Sequence, residues 1–232
     1  MWAGMGAAIP PDYDEDPERF RLARRVLSRY GPGGDVHQIV AARLIDERLL
    51  PVLDVGCGEG ELARFLPCGA WCGLDSSPTM LARAPRSARL GDARALPWAD
   101  ASFGSVAALY VLYHLDEPRL ALAEARRVLR AGGLLAVAAP SRDDSPELAD
   151  VLGRRALTFD AEIAGELLGE LFAHVEVERW EAPMLTLPST QAIRDYIVGK
   201  GVDPELAEAW ASASDAPLTV TKRGALAFAR KA

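Results

Sequence analysis

Apolar and polar residues follow two rhythms along this chain. Between 17 and 30, Phe20, Ala23, Leu27 and Tyr30 recur at helical spacing. Val36, Ile39, Val40 and Leu44 do so again behind Asp35, a residue suited to capping a helix. "YGPGGD" (30–35) breaks the chain between them. Two helices are therefore predicted ahead of any strand. Residues 1–16 lack such a pattern and read as disordered or loosely packed. From position 51 the rhythm changes. Apolar runs at 51–55, 70–75, 87–91, 103–110 and 133–139 read as strands, with helical stretches at 60–66, 77–84 and 117–130 between them. The last stretch stops at Ala131-Gly132-Gly133. Such alternation predicts a parallel sheet with helices on both faces.

Beyond Pro140 the alternation lapses. Residues 147–157 and 160–171 read as helical, and 174–180 ("HVEVERW") as a strand. Residues 181–216 read as mostly helical and polar, punctuated by Pro183, Pro188 and Pro204. Residues 218–231 read as a final strand, broken near Gly224 and able to pair antiparallel with 174–180 at the sheet edge. The expected organisation is a helical cap over 1–50 and a core over 51–232, with 181–216 as a substrate-side insertion, in one compact domain.

Composition narrows the function. A net charge of -7 gives no general attraction to nucleic acid or anionic lipid. No apolar run reaches the ~20 residues that span a bilayer. The start, "MWAGMGAAIPPDYDEDPE", is too acidic for a signal peptide. Three cysteines, Cys57, Cys68 and Cys72, suggest a reduced, cytoplasmic protein. None of them has further ligands at metal-binding spacing, so no metal is expected.

The chemistry centres on "VLDVGCGEGEL" (52–62), a strand running into a glycine-rich turn. Position 61 is Glu, so the dinucleotide spacing G-x-G-x-x-G fails. Asp54, Glu59 and Glu61 would repel a pyrophosphate. The loop instead suits a ligand that is cationic where it touches. S-adenosylmethionine is such a ligand, with an ammonium, a sulfonium and no phosphate.

At this point a family resemblance becomes specific. "VLDVGCGEGELARFL" (52–66), "GLDSSPTML" (73–81), "GDARALPWADASF" (91–103), "ALYVLYHL" (108–115) and "EARRVLRAGGLLAVAAPS" (124–141) stand in the order of the class I S-adenosylmethionine-dependent methyltransferase motifs. The chain resembles that family over roughly 50–140, in the small-molecule type known as methyltransferase domain 11. The resemblance implies a Rossmann-like, doubly wound, mostly parallel sheet of seven strands, with the two N-terminal helices and the helical insertion added.

It also implies roles. Gly56, Gly58 and Gly60, with Cys57 between them, wrap the methionine part of S-adenosylmethionine. Asp54 lies near its ammonium. Asp75 accepts from the ribose hydroxyls, beside Ser76. Asp92 and the Ala93 amide meet adenine, Met80 packs on it, and Leu109 offers backbone near the amino acid end. Gly104 stands where the family often has Asp, which is expected to loosen the start of strand four. His114, beside Tyr113, falls where a methyl acceptor sits and near the cofactor. It is either a general base or a packing residue. Tyr13, Phe20, Tyr30 and Trp180 are candidates to line the acceptor site. The expected partner is a small-molecule methyl acceptor, with no membrane and no nucleic acid. Monomer and homodimer both stay open. The rival readings are an RNA or protein methyltransferase and a non-catalytic cofactor-binding module.

Overall fold

The computed structural model describes residues 13–31, 35–153 and 157–232. Among them, seven strands form one sheet. They are β1 (Val52–Val55), β2 (Trp71–Asp75), β3 (Ala88–Leu90), β4 (Phe103–Leu109), β5 (Leu129–Pro140), β6 (His174–Leu187) and β7 (Leu218–Arg230). Their order is β3-β2-β1-β4-β5-β7-β6. The first five are parallel, and β7 runs antiparallel between β5 and β6. The chain winds outward from β1 to β3, then restarts at β4 on the other side of β1. That reversal opens a crevice at the carboxyl ends of β1 and β4, where doubly wound sheets hold ligands.

Both faces of the sheet are covered, so the central strands are continuously apolar rather than alternating. Every residue of β1 and β4 is buried. One face packs on Ala121, Leu122, Ala125 and Val128 of α4 (Pro118–Val128), and on α6 (Ala164–Gly169). The other packs on Val40, Ala41 and Leu44 of α2 (Val36–Asp46). Asp35 caps α2 as expected, accepting from the His37 amide at 2.9 Å. A third apolar cluster joins Val26 of α1 (Pro17–Tyr30) to Ile193, Tyr196 and Ile197 of α7 (Thr190–Gly199) and to Ala207 of α8 (Pro204–Ser212). There α1 and α7 meet backbone to backbone. A Cβ on Gly199 would lie 2.8 Å from the Ala23 Cα.

Several expected boundaries move, each for a local reason. The helix expected at 60–66 shrinks to a 3-10 turn, Leu62–Phe65, and that at 77–84 to α3 (Pro78–Leu81). α4 ends at Val128, because fully buried Leu129 turns extended and pairs with Phe103. β6 does not stop at 180. It continues to Leu187, since Leu185 and Leu187 bury completely, and Pro183 is tolerated at a register shift. The segment 181–216 is thus strand first and helical only from Thr190. β7 is unbroken at Gly224, which pairs with both Pro140 and Trp180. Its missing Cβ makes room for the Trp180 indole, which would otherwise approach to 2.4 Å. Nor does Gly104 loosen β4: a Cβ there would meet the Leu49 carbonyl carbon at 2.6 Å, so glycine permits close packing. Helix α5 (Ala149–Leu152) stands where 147–157 was expected, and residues 154–156 lie outside the described residues, as do 1–12 and the 32–34 break. Residues 13–16 are anchored rather than loose, as described below.

Candidate active site

The glycine loop leaves β1 at the crevice. Gly56, Gly58 and Gly60 have φ of 69°, 53° and 85°, the left-handed region that glycine reaches without strain. The space beside Gly58 is open, whereas a Cβ on Gly56 would strike Val111 at 2.3 Å. Asp75, at the end of β2, accepts from the Gly58 amide at 2.7 Å and the Ser77 amide at 2.9 Å. Its carboxylate is thus fixed at the strand end with lone pairs to spare. Ser76 is exposed, and Ser77 caps α3. Asp54 lies beneath the loop, 4% exposed, and accepts from the Trp71 indole at 3.1 Å. Burial pushes its carboxyl up to about 7 against the pull of the Trp71 hydrogen bond, and the Asp75 charge adds a smaller push in the same direction as burial. Among the described residues no cation pairs with it. Cys57 is buried, and burial holds its thiol well above the usual range, so it fills space.

The loop's other two acids behave differently. Glu59 is in an ion pair with Arg21 at 2.8 Å, and Glu61 with Arg24 at 2.5 Å. Glu61 also meets Arg64 at 3.2 Å, and Arg83 lies 3.9 Å from Glu59. The expectation that all three acids face a cationic ligand is therefore corrected: Glu59 and Glu61 hold down α1. The segment before α1 is tied to the same crevice. Asp14 accepts from the Ser77 hydroxyl at 2.6 Å and the Thr79 amide at 3.1 Å, which keeps its carboxyl below the usual range. The Tyr13 hydroxyl meets His114 Nε2 at 2.9 Å. Residues 13–16 and α1 thus form a strap from β2 to the end of β4.

At that end Leu109 is buried, and Tyr110 turns the chain with φ of 58°, a conformation few tyrosines adopt. A 3-10 turn, Leu112–His114, then presents Tyr113 and His114, ring centroids 4.3 Å apart. Tyr13 stands edge-on to Phe20 at 5.2 Å and to His114 at 5.7 Å. Tyr13, Phe20, Tyr113 and His114 are therefore brought together. Tyr30 and Trp180 are not. Tyr30 lies ten residues along α1 from Phe20, about 15 Å, against the α7 cluster. Trp180 is on β6, three strand positions or about 14 Å from β4. In the third loop Ala93 is buried. Asp92 is engaged by the Arg94 guanidinium at 2.7 Å, and Met80 is 1% exposed.

Comparison with known proteins now bears on this geometry. A methyltransferase-domain family profile matches residues 53–137. A malonyl-[acyl-carrier protein] O-methyltransferase of Herminiimonas arsenicoxydans is 33% identical over 73% of this chain and 72% of its own length. The chain belongs to the class I S-adenosylmethionine-dependent methyltransferases. An uncharacterized 37.1 kDa transposon protein of Streptomyces fradiae is 34% identical over 62% of this chain, which spans only 46% of that relative. The crystal structure of the [4+2]-cyclase SpnF shares the fold, with a TM-score of 0.60 at 18% identity over 97% of this chain and 99% of that one.

For a methyltransferase of this family the crevice fits S-adenosylmethionine. A buried, unpaired carboxyl at Asp54 would gain an ammonium partner, and the oriented Asp75 carboxylate could take ribose hydroxyls. No helix among the described residues is long and apolar enough to cross a membrane. Motif reading missed Asp14, Arg21, Arg24, Trp71 and Tyr110. Arg21 and Arg24 are a helical turn apart on one face of α1, a visible signal, but their partners lie more than thirty positions away in sequence. Also missed was a buried network beyond β5, in which Lys222 reaches Asp144, the Ser145 hydroxyl at 3.1 Å and the Tyr196 hydroxyl at 2.9 Å. It fixes α7 to the loop after β5.

Proposed function

We propose that this chain transfers a methyl group from S-adenosylmethionine to an oxygen or nitrogen of a small molecule. The observation that carries the reading is the Tyr13 hydroxyl on His114 Nε2, beneath a strap that covers the crevice. It is a protic group held at a base, beside the expected cofactor site. The cover favours a small acceptor over an extended polymer, and the malonyl-[acyl-carrier protein] O-methyltransferase relative supports an oxygen nucleophile.

Gly56, Gly58 and Gly60 would hold the methionine part, Asp54 its ammonium and Asp75 the ribose, with Asp92, Ala93 and Met80 around adenine and Leu109 behind. Within the 1–50 cap, residues 13–30 cover the crevice while α2 backs the sheet, and 181–216 contribute to the acceptor side through α7, which packs on α1. Held by those residues, S-adenosylmethionine would supply an activated methyl, its sulfur keeping the bonding electrons and leaving as a neutral thioether. His114 takes the proton from the acceptor as the new bond forms, then releases it to water. Tyr113 positions the imidazole. Holding nucleophile and methyl in line contributes several kcal/mol, and general-base help typically 10²–10⁴-fold. The free cysteines suit a reducing, cytoplasmic setting.

The test is tritiated-methyl transfer to small-molecule extract fractions, with the labelled product identified. His114→Ala should lower the rate at least ~100-fold with cofactor affinity kept. A loss below ten-fold would assign His114 to packing.

A further inference from the structure

The slot beside His114 is occupied by part of the chain itself. A general base must lie about 2.6–3.2 Å from the atom it deprotonates. The Tyr13 phenol oxygen lies at that distance from His114 Nε2, 2.9 Å away. Around the tyrosine ring stand Phe20, edge-on at 5.2 Å, and His114, edge-on at 5.7 Å, with Tyr113 packed on His114 at 4.3 Å. Edge-to-face contacts of this kind select a flat aromatic ring over an aliphatic chain. We infer that this slot is the acceptor subsite, that its ligand class is a small phenol, and that Tyr13 is a stand-in which the acceptor displaces. The inference rests on the proposed function and deepens it.

The strap is built for such an exchange. Its anchor is the neighbouring residue, Asp14, bound to Ser77 and Thr79. Beyond it, Arg21 and Arg24 pin α1 to Glu59 and Glu61. Displacing the Tyr13 ring breaks none of these anchors. An arriving phenol would recover the hydrogen bond to His114 and the contacts to Phe20. An aliphatic amine or a carboxylate would recover neither ring contact, and a carboxylate brings no proton for His114 to take.

The experiment restores the missing side chain from solution. p-Cresol is the tyrosine side chain cut at Cβ. With S-adenosylhomocysteine bound, calorimetry should show p-cresol binding Tyr13→Ala at least ~10-fold more tightly than wild type. Tyr13→Phe, which keeps a ring in the slot, should bind no better than wild type. n-Butylamine and malonate should show no such gain. Equal p-cresol affinity in wild type and Tyr13→Ala, or a larger gain for n-butylamine or malonate, would overturn the inference. A second readout needs no variant that must fold. The chain has three histidines, so the His114 ring proton can be followed by NMR in the wild-type protein. p-Cresol should shift that signal and leave His37 and His174 in place; an unmoved His114 signal would equally overturn it. Failure of S-adenosylhomocysteine to bind wild type would instead strike the proposed function.

Discussion

The two pairs of carboxylates around the glycine loop carry the same charge and meet opposite fates. Glu59 and Glu61 stand on the loop's outer rim, each within reach of arginines. Asp54 and Asp75 lie at the strand ends beneath it, 4% and 8% exposed, held by neutral donors: an indole and two backbone amides. The rim pair is a latch for α1. The inner pair is an unneutralised acidic floor, and burial has already pushed Asp54 up to about 7. A count of acids in the loop is therefore a poor guide to what it binds; burial and pairing decide which of them a ligand meets.

The largest expected effect is at the floor. Asp75→Ala should weaken S-adenosylmethionine binding by about 1.5–3 kcal/mol, the scale of hydrogen bonds to a charged group. Calorimetry checks the affinity and thermal melting checks the fold. Affinity kept while the melting temperature collapses would make Asp75 purely structural.

Asp54→Asn should come next. The amide can still accept from Trp71 but cannot carry charge, so cofactor affinity at pH 8 should fall about ten-fold, the gap between charged and neutral hydrogen bonds. The ligand-free protein should meanwhile gain stability at pH 8. A carboxyl raised in the folded state favours folding below its unfolded value, and that contribution is lost as pH rises toward 7. Melting curves at pH 5 and pH 8 should show wild type losing ground to Asp54→Asn at the higher pH.

The rim gives the smallest effect on the cofactor. Arg21→Ala with Arg24→Ala should change S-adenosylmethionine affinity by about three-fold or less, since these part-buried pairs hold α1 and leave the strand-end carboxylates as they are. The same double variant should make α1 more open to limited proteolysis. A ten-fold loss of cofactor affinity would erase the distinction between rim and floor.

The parts of this arrangement legible in the sequence are those written locally. The β1 loop, Asp75 after β2 and the buried run of β4 each announce themselves within a dozen residues, because strand burial and turn chemistry act over that range. The strap was not legible. Tyr13 to His114, Asp14 to Ser77 and Arg21 to Glu59 join positions far apart, and nothing in the "DYDEDPE" composition separates an anchored segment from a loose one. The extension of β6 past Trp180 was hidden by Pro183, whose register shift no local pattern marks. Gly224 looked like a break because its partner, the Trp180 ring, is invisible until the strands pair.

The most direct test of the acidic floor is the proton balance of cofactor binding. At pH 6 an α-ammonium is already charged, its ordinary value lying near ~7.7–8.0, whereas a carboxyl at about 7 is mostly protonated. Calorimetry of S-adenosylmethionine binding at pH 6, in two buffers of different ionisation heat, should report release of close to one proton per ligand in wild type and almost none in Asp54→Asn. Binding with no proton release in wild type, or with equal release in both proteins, would contradict an ammonium seated on the Asp54 carboxylate.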